Sequence, residues 1–253
     1  MLKGRKTTGG IVMKILSIGN SLSQDAQRYL HRIALKEGVQ LKTVNLYIGG
    51  CSLRRHYLNM LDDNAAYDFQ FNGESTGLKV SIRQAIVSDN WDYITLQQAS
   101  HESAKPETYT PYIEELADYV RVYCPHAKIL IHQTWAYETG SVKLANQERF
   151  ATDAEMFAAV EECYEKAAQL IEADGIIPAG RTMLTAAKTG IDHIHRDTYH
   201  ASLGAGRYLL GLCWFKYLTG KDITENAFDD FDVPVTEEER KIVIAAVNKV
   251  LGE

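Results

Sequence analysis

Short apolar runs recur along the chain, separated by stretches in which apolar residues return every three or four positions. The runs KILSIG (14 to 19), LKTVNLY (41 to 47), DYITLQ (92 to 97), AKILIHQ (127 to 133) and GIIPA (175 to 179) predict five strands. The periodic stretches predict helices over 24 to 37, 80 to 89, 108 to 123, 148 to 173, 201 to 218 and 235 to 252. Strands alternating with helices in this way make parallel pairs joined by helical crossovers, in a sheet buried on both faces. The expected fold class is therefore α/β, a three-layer α/β/α sandwich around a five-stranded, mainly parallel sheet.

One segment breaks the rhythm. In YDFQFNGESTGLK (67 to 79) the alternation about Asn72-Gly73 predicts a small hairpin inserted before the helix over 80 to 89. The stripe YLLGLCWFKYL (208 to 218) predicts a helix that buries Leu209, Leu212, Cys213 and Tyr217. The acidic start and apolar face of TEEERKIVIAAVNKVL predict a capped amphipathic helix.

Composition narrows the class without changing it. With 253 residues, 45% of them hydrophobic and 24% charged, the chain can bury one full core, and no linker demands two domains. Residues 1 to 12 are expected to form a flexible tail, with Met13 as a second possible start and 13 to 253 as a single domain. A net charge of -6 argues against nucleic acid or an anionic membrane as partner, since both call for a basic surface. No apolar run reaches the length of a membrane span, and IVMKILSIG is too brief and too polar for the core of a signal peptide. The four cysteines are far apart and read as reduced thiols, so the expected location is the cytoplasm.

In open parallel sheets, sites form beyond the carboxyl ends of the strands. The residues there are small and polar, beginning with Asn20-Ser21-Leu22-Ser23 after Gly19. Two roles suit a serine at a strand-to-helix junction, helix capping and nucleophilic catalysis. The far end of the chain bears on the choice. DHIHRDTYH (192 to 200) sets Asp197 and His200 three residues apart, so that one turn can point the carboxylate at the imidazole. An imidazole held in that way has its tautomer fixed and its other nitrogen free to accept a proton from a serine hydroxyl.

With IGNSLS after the first strand and DTYH near the C-terminus, the chain resembles the SGNH, or GDSL-like, hydrolase family. The resemblance implies a flavodoxin-like sheet, Ser21 as nucleophile, His200 as general base and then acid, and Asp197 as the group orienting His200. It also implies an oxyanion hole from the Ser21 amide and the Gly50 amide of IGGCSL, with Gly49 the near alternative, and no metal or organic cofactor. Two positions depart from the family's pattern. Asn20 stands where an aspartate is usual, and LQQASHES replaces the third block Gly-x-Asn-Asp. Gln98 is then the expected third oxyanion donor, with Gln97 the second choice, because glutamine carries the same NH₂ on a longer stem.

Asn20, Gln97, Trp135 and Tyr137 are the candidate substrate-binding residues. Trp135 and Tyr137, in HQTWAYE, suit stacking on a sugar face and equally suit plain packing. His132, His193 and His195 invite a metal site, but no third ligand completes a zinc spacing, and none is expected. The expected function is a serine esterase acting on short, acetyl-type esters of a small molecule or a glycan. The alternative is a sugar-binding protein that keeps the fold and has lost efficient catalysis with the third-block asparagine.

Overall fold

The computed structural model describes residues 12–191 and 193–252; residues 1 to 11 of the expected tail lie outside them. The strands are β1 (Met13–Gly19), β2 (Leu41–Tyr47), β3 (Tyr67–Phe71), β4 (Glu74–Val80), β5 (Tyr93–Leu96), β6 (Lys128–His132) and β7 (Gly175–Ile177). They form one sheet in the order β4-β3-β2-β1-β5-β6-β7.

The five expected strands pair in parallel, β1 lying between β2 and β5. The sheet nevertheless has seven strands rather than five. The expected hairpin does form, and it extends the sheet because β3 pairs antiparallel with the free edge of β2. Asn72 and Gly73 both take positive φ, of 50° and 84°, as a two-residue hairpin turn requires. The Asn72 side chain also accepts the Thr43 amide of β2, which fixes the turn against the sheet.

Alternation along β1 sorts its side chains between two layers. Leu16 and Ile18 face α3 (Leu53–Leu61), α4 (Ile82–Ile86), α5 (Tyr112–Tyr123) and α7 (Asp153–Leu170). Ile15 faces α1 (Ser21–Gln27), α2 (Leu30–Lys36), α8 (Ala179–Ala187), α9 (Ala205–Thr219) and α10 (Glu237–Leu251). Both layers exclude water from the sheet, and this burial is the main drive to fold. The helix expected over 24 to 37 is two helices meeting at Arg28 and Tyr29. A helix starting near Leu53, after the tight turn at Gly50, is α3, whereas α6 (Val142–Ala145) and α8 are short and not separated from loops by periodicity. Among the described residues, no helix is long and apolar enough to cross a membrane.

Strand order reverses direction at β1, with β2 on one side and β5 on the other. Such a switch point opens a crevice at the carboxyl end of the sheet. Asn20 and Ser21 lie at that point.

Candidate active site

Helix α1 starts abruptly, and its start positions Ser21. Asn20 caps it, its Oδ1 accepting the Leu22 amide at 2.9 Å while the Ser23 hydroxyl accepts the Asn20 amide at 3.0 Å. Gly19 allows this tight return, since a Cβ there would stand 2.0 Å from Ser23 Oγ and 2.9 Å from Asn45 Oδ1. Ser21 is thereby the first helical residue, with its amide unpaired in the helix and its side chain half-buried.

A loop from the other end of the chain meets it. His195 and Ala201 form an isolated antiparallel bridge, and Arg196 N–H donates to the His200 carbonyl, so the residues between them make a closed turn. Thr198 bends the tip at a φ of 73°. Asp197 then accepts from the His200 amide at 2.9 Å and from the His200 ring Nδ1 at 2.7 Å. The opposite ring nitrogen, Nε2, lies 2.8 Å from Ser21 Oγ. With Nδ1–H directed at the carboxylate, Nε2 is the free acceptor for the serine hydroxyl. Burial acts to raise the Asp197 pKa, but the hydrogen bonds from the His200 ring and amide outweigh it and hold the carboxyl below its ordinary value.

The loop is clamped from outside as well. Trp135 Nε1–H donates to the Tyr199 carbonyl at 2.6 Å, and Glu138 N–H donates to the Thr198 carbonyl at 2.8 Å. Arg196 reaches α1, the helix that Ser21 opens, donating to both carboxylate oxygens of the fully buried Asp25.

Ser21 opens into a cavity of about 280 Å³ lined by Asn20, Leu22, Gly50, Ser100, His101, Tyr137, Lys143 and Tyr199. Gly50 adopts a φ of 61°, a conformation that glycine takes without strain, and a Cβ there would meet nothing within 4 Å. Among the described residues, neither the Ser21 nor the Gly50 amide donates to a protein acceptor.

The chain matches the model of a domain of unknown function, DUF4886, over residues 14–247. It belongs to the DUF4886 family. A DUF4886 protein from Bacteroides uniformis, known from a crystal structure, is 33% identical, with 95% of each chain covered and a TM-score of 0.87. The fold is also that of SGNH and GDSL-like hydrolases. A protein from Slackia heliotrinireducens, provisionally named an SGNH hydrolase, is 21% identical with a TM-score of 0.61, over 82% of this chain and 100% of that one. A provisionally named GDSL-like lipase from Parabacteroides merdae is 15% identical with a TM-score of 0.52, over 82% and 95%. None of the curated proteins matches the chain.

Within this DUF4886 chain the remaining expected residues divide. Ser21, His200, Asp197, Gly50, Asn20 and Tyr137 converge on one place, whereas Gln98, Gln97 and Trp135 are turned elsewhere. Gln98 is fully buried; its NH₂ donates to the carbonyl and hydroxyl of Thr108, and its Oε1 accepts the amides of Leu53 and Ala99. It has no donor left for an oxyanion and instead joins three loops. Gln97 is likewise buried, donating to Asn20 Oδ1 at 2.6 Å and accepting from His132 Nδ1 at 2.7 Å. This chain, together with the bond from Asn20 Nδ2 to the Cys51 carbonyl, locks Asn20 to the second loop of the site. Burial lowers the His132 pKa to about 3, which suits a neutral donor to Gln97. Trp135 is only 2% exposed, so it packs rather than stacks on a ligand, and its indole N–H holds the histidine loop.

Sequence reasoning passed over Tyr199 and Lys143. The Tyr199 ring lies 3.8 Å from the His200 ring and 5.8 Å from that of Tyr137, centroid to centroid. Its position inside D-x-x-H was a usable signal, because residues between two such anchors have few places to go. Lys143, on a short helix that periodicity could not resolve, gave no such signal.

Proposed function

We propose that this protein is a serine esterase that hydrolyses short-chain esters through an acyl-enzyme on Ser21. The observation that carries this reading is the unbroken line from Ser21 Oγ through His200 to Asp197, with Ser21 opening on a small cavity that Gly50 also lines.

Chemically, Ser21 Oγ attacks the ester carbonyl carbon as His200 Nε2 takes its proton, and the carbonyl π electrons move onto oxygen. The Ser21 and Gly50 amides receive that oxyanion, a type of stabilisation worth about 10²- to 10³-fold in rate per donor. As the bond to the alcohol breaks, His200 returns the proton to the departing oxygen, leaving the acyl group on Ser21. A water molecule then repeats the sequence with His200 as its base, releasing the acid and restoring the serine. Asp197 keeps Nδ1 protonated throughout and offsets the charge of the imidazolium.

A cavity of about 280 Å³ supports a short acyl group over a long chain. The rings of Tyr137 and Tyr199 on its wall support a flat or cyclic alcohol such as a sugar. The first test needs no knowledge of the substrate. Wild type and Ser21→Ala are treated with a small fluorophosphonate and weighed intact by mass spectrometry. A single adduct that disappears in the variant is expected. A folded wild type that stays unlabelled at mildly alkaline pH would sink the esterase reading and leave glycan binding as the one to pursue.

A further inference from the structure

Lys143 stands over the aromatic wall of the cavity. Its Nζ lies 4.0 Å from the centre of the Tyr199 ring and 5.9 Å from that of Tyr137. The same Tyr199 ring packs on His200, so the ammonium and the imidazole flank one side chain. Five lysines among the described residues pair with a carboxylate, as Lys14 and Lys42 do with Asp89. Lys143 has no such partner among the described residues, although the chain as a whole carries a net charge of -6.

None of the residues lining the cavity is acidic; the nearby Glu102 carboxylate lies 3.7 Å from the ring of His101 on its wall and is not itself part of the lining. Asp197 is occupied by His200 and does not line the cavity. An acidic protein thus places a lysine and no carboxylate in the aromatic-walled lining beside Ser21. A cation on a π face remains partly unsatisfied, and a carboxylate competes well for it.

We infer that Lys143 selects esters that carry a negative charge, a carboxylate or a sulfate, near the scissile bond. This inference rests on the esterase reading above and narrows its substrate class from esters in general to anionic esters. An arriving anion pairs with the Lys143 ammonium at the rim while the uncharged acyl end reaches Ser21. Because Lys143 is outside the reacting bonds, its contribution falls on the capture of substrate rather than on the chemical steps.

The test uses two fluorophosphonates matched in length, one ending in a carboxylate and the other in a carboxamide. Each reacts by forming a bond from Ser21 Oγ to phosphorus and releasing fluoride, with His200 taking the serine proton. The second-order rate of labelling therefore reports capture and nucleophile activation without needing turnover. Wild type is expected to label about 3- to 5-fold faster with the carboxylate probe, the advantage that an ion pair in a wet cleft supports. In Lys143→Met the ratio is expected to fall to about 1, in Lys143→Glu to reverse, and in wild type at about 1 M salt to vanish by screening. Equal rates for the two probes on wild type, or a preference that survives in Lys143→Met, would overturn the inference while leaving Ser21 as an activated nucleophile. If neither probe labels Ser21, the esterase reading fails, and the inference fails with it.

Discussion

Arg196 donates through one nitrogen to both carboxylate oxygens of Asp25, each at 2.9 Å. Asp25 lies one turn beyond Ser21 on α1, and Arg196 immediately precedes Asp197. The ion pair therefore joins the helix that carries the proposed nucleophile to the loop that carries its base. Arg207 completes the arrangement with a third bond to Asp25 at 2.9 Å. Arg196 also donates to the Ala201 carbonyl, closing the loop from within.

Removing either partner should loosen that join. Asp25→Asn is expected to cost about 2 to 4 kcal/mol of stability, because two arginines lose a fully buried counter-charge. Arg196→Met, with its partner still held by Arg207, should cost less. Its Ser21 labelling rate should nevertheless drop about tenfold as the distance from His200 to Ser21 relaxes. Urea unfolding measured beside labelling kinetics separates the two effects. Unchanged labelling in a destabilised Arg196→Met would mean that the pair holds the fold and not the geometry of the site.

Ser21→Ala and His200→Ala should each reduce ester hydrolysis about 10⁴- to 10⁶-fold with little change in melting temperature, because both residues are only half-buried and outside the core. Asp197→Asn should reduce it by about 10² to 10⁴, since an amide can hold the ring in the wrong tautomer. Initial rates on an aryl acetate, with circular dichroism as the control for folding, check all three. An Asp197→Asn enzyme as fast as wild type would remove Asp197 from the working group.

Hydrolysis should fall on acidification along a single limb. A protonated His200 cannot accept the serine proton, and Asp197, held below its ordinary value, stays ionised across that limb. A second acid limb in the profile of kcat/KM that disappears in Asp197→Asn would contradict this.

Stability should have its own acid dependence. Burial lowers both His56 and His132 to about 3, so the folded state keeps them neutral where the unfolded chain binds protons. A folded pKa below the unfolded one for histidine means stability lost as pH falls from about 6.5 toward 3. Asp232 adds to this further down. The hydrogen bond from Arg28 is the largest of the influences that lower it to about 2 against its partial burial, so its contribution is present above the ordinary carboxylate range and is lost between about 4 and 2. Solvent screening of this partly exposed group discounts the full linkage value, so Asp232→Asn should destabilise by about 1 kcal/mol at pH 7 and by almost nothing at pH 2. Urea titrations at the two pH values test the difference.

The parts of this molecule that were legible in the sequence are those where one physical effect dominates. The strand at 14 to 19 is an apolar run buried on both sides, and D-x-x-H fixes an acid and an imidazole within one turn whatever surrounds them. Other features depend on partners distant in the chain. The hairpin at Asn72-Gly73 was readable, but its docking on β2 depends on an edge that only the folded sheet supplies. Trp135 was equally suited to packing and to stacking until the Tyr199 carbonyl took its N–H. Gln98 shows the same limit most sharply, because the sequence reveals an amide near the right strand end and nothing about where it points.

That distinction can be measured. A third oxyanion donor at Gln98 would make Gln98→Ala lose about 10²- to 10³-fold in kcat at nearly unchanged stability. The observed bonds to Thr108, Leu53 and Ala99 imply the reverse. Gln98→Ala should leave the carbonyl and hydroxyl of Thr108 and the two amides without their partner in a fully buried place. The expected cost is about 2 to 3 kcal/mol in unfolding free energy, with a modest loss of rate, about tenfold or less, from displacement of the Gly50 loop through Leu53. Gln98→Glu keeps the acceptor but replaces the NH₂ with oxygen facing the Thr108 carbonyl, so it should be at least as unstable as the alanine variant. Measured on the same aryl acetate, a Gln98→Ala protein of native stability and greatly reduced kcat would restore glutamine to the oxyanion hole.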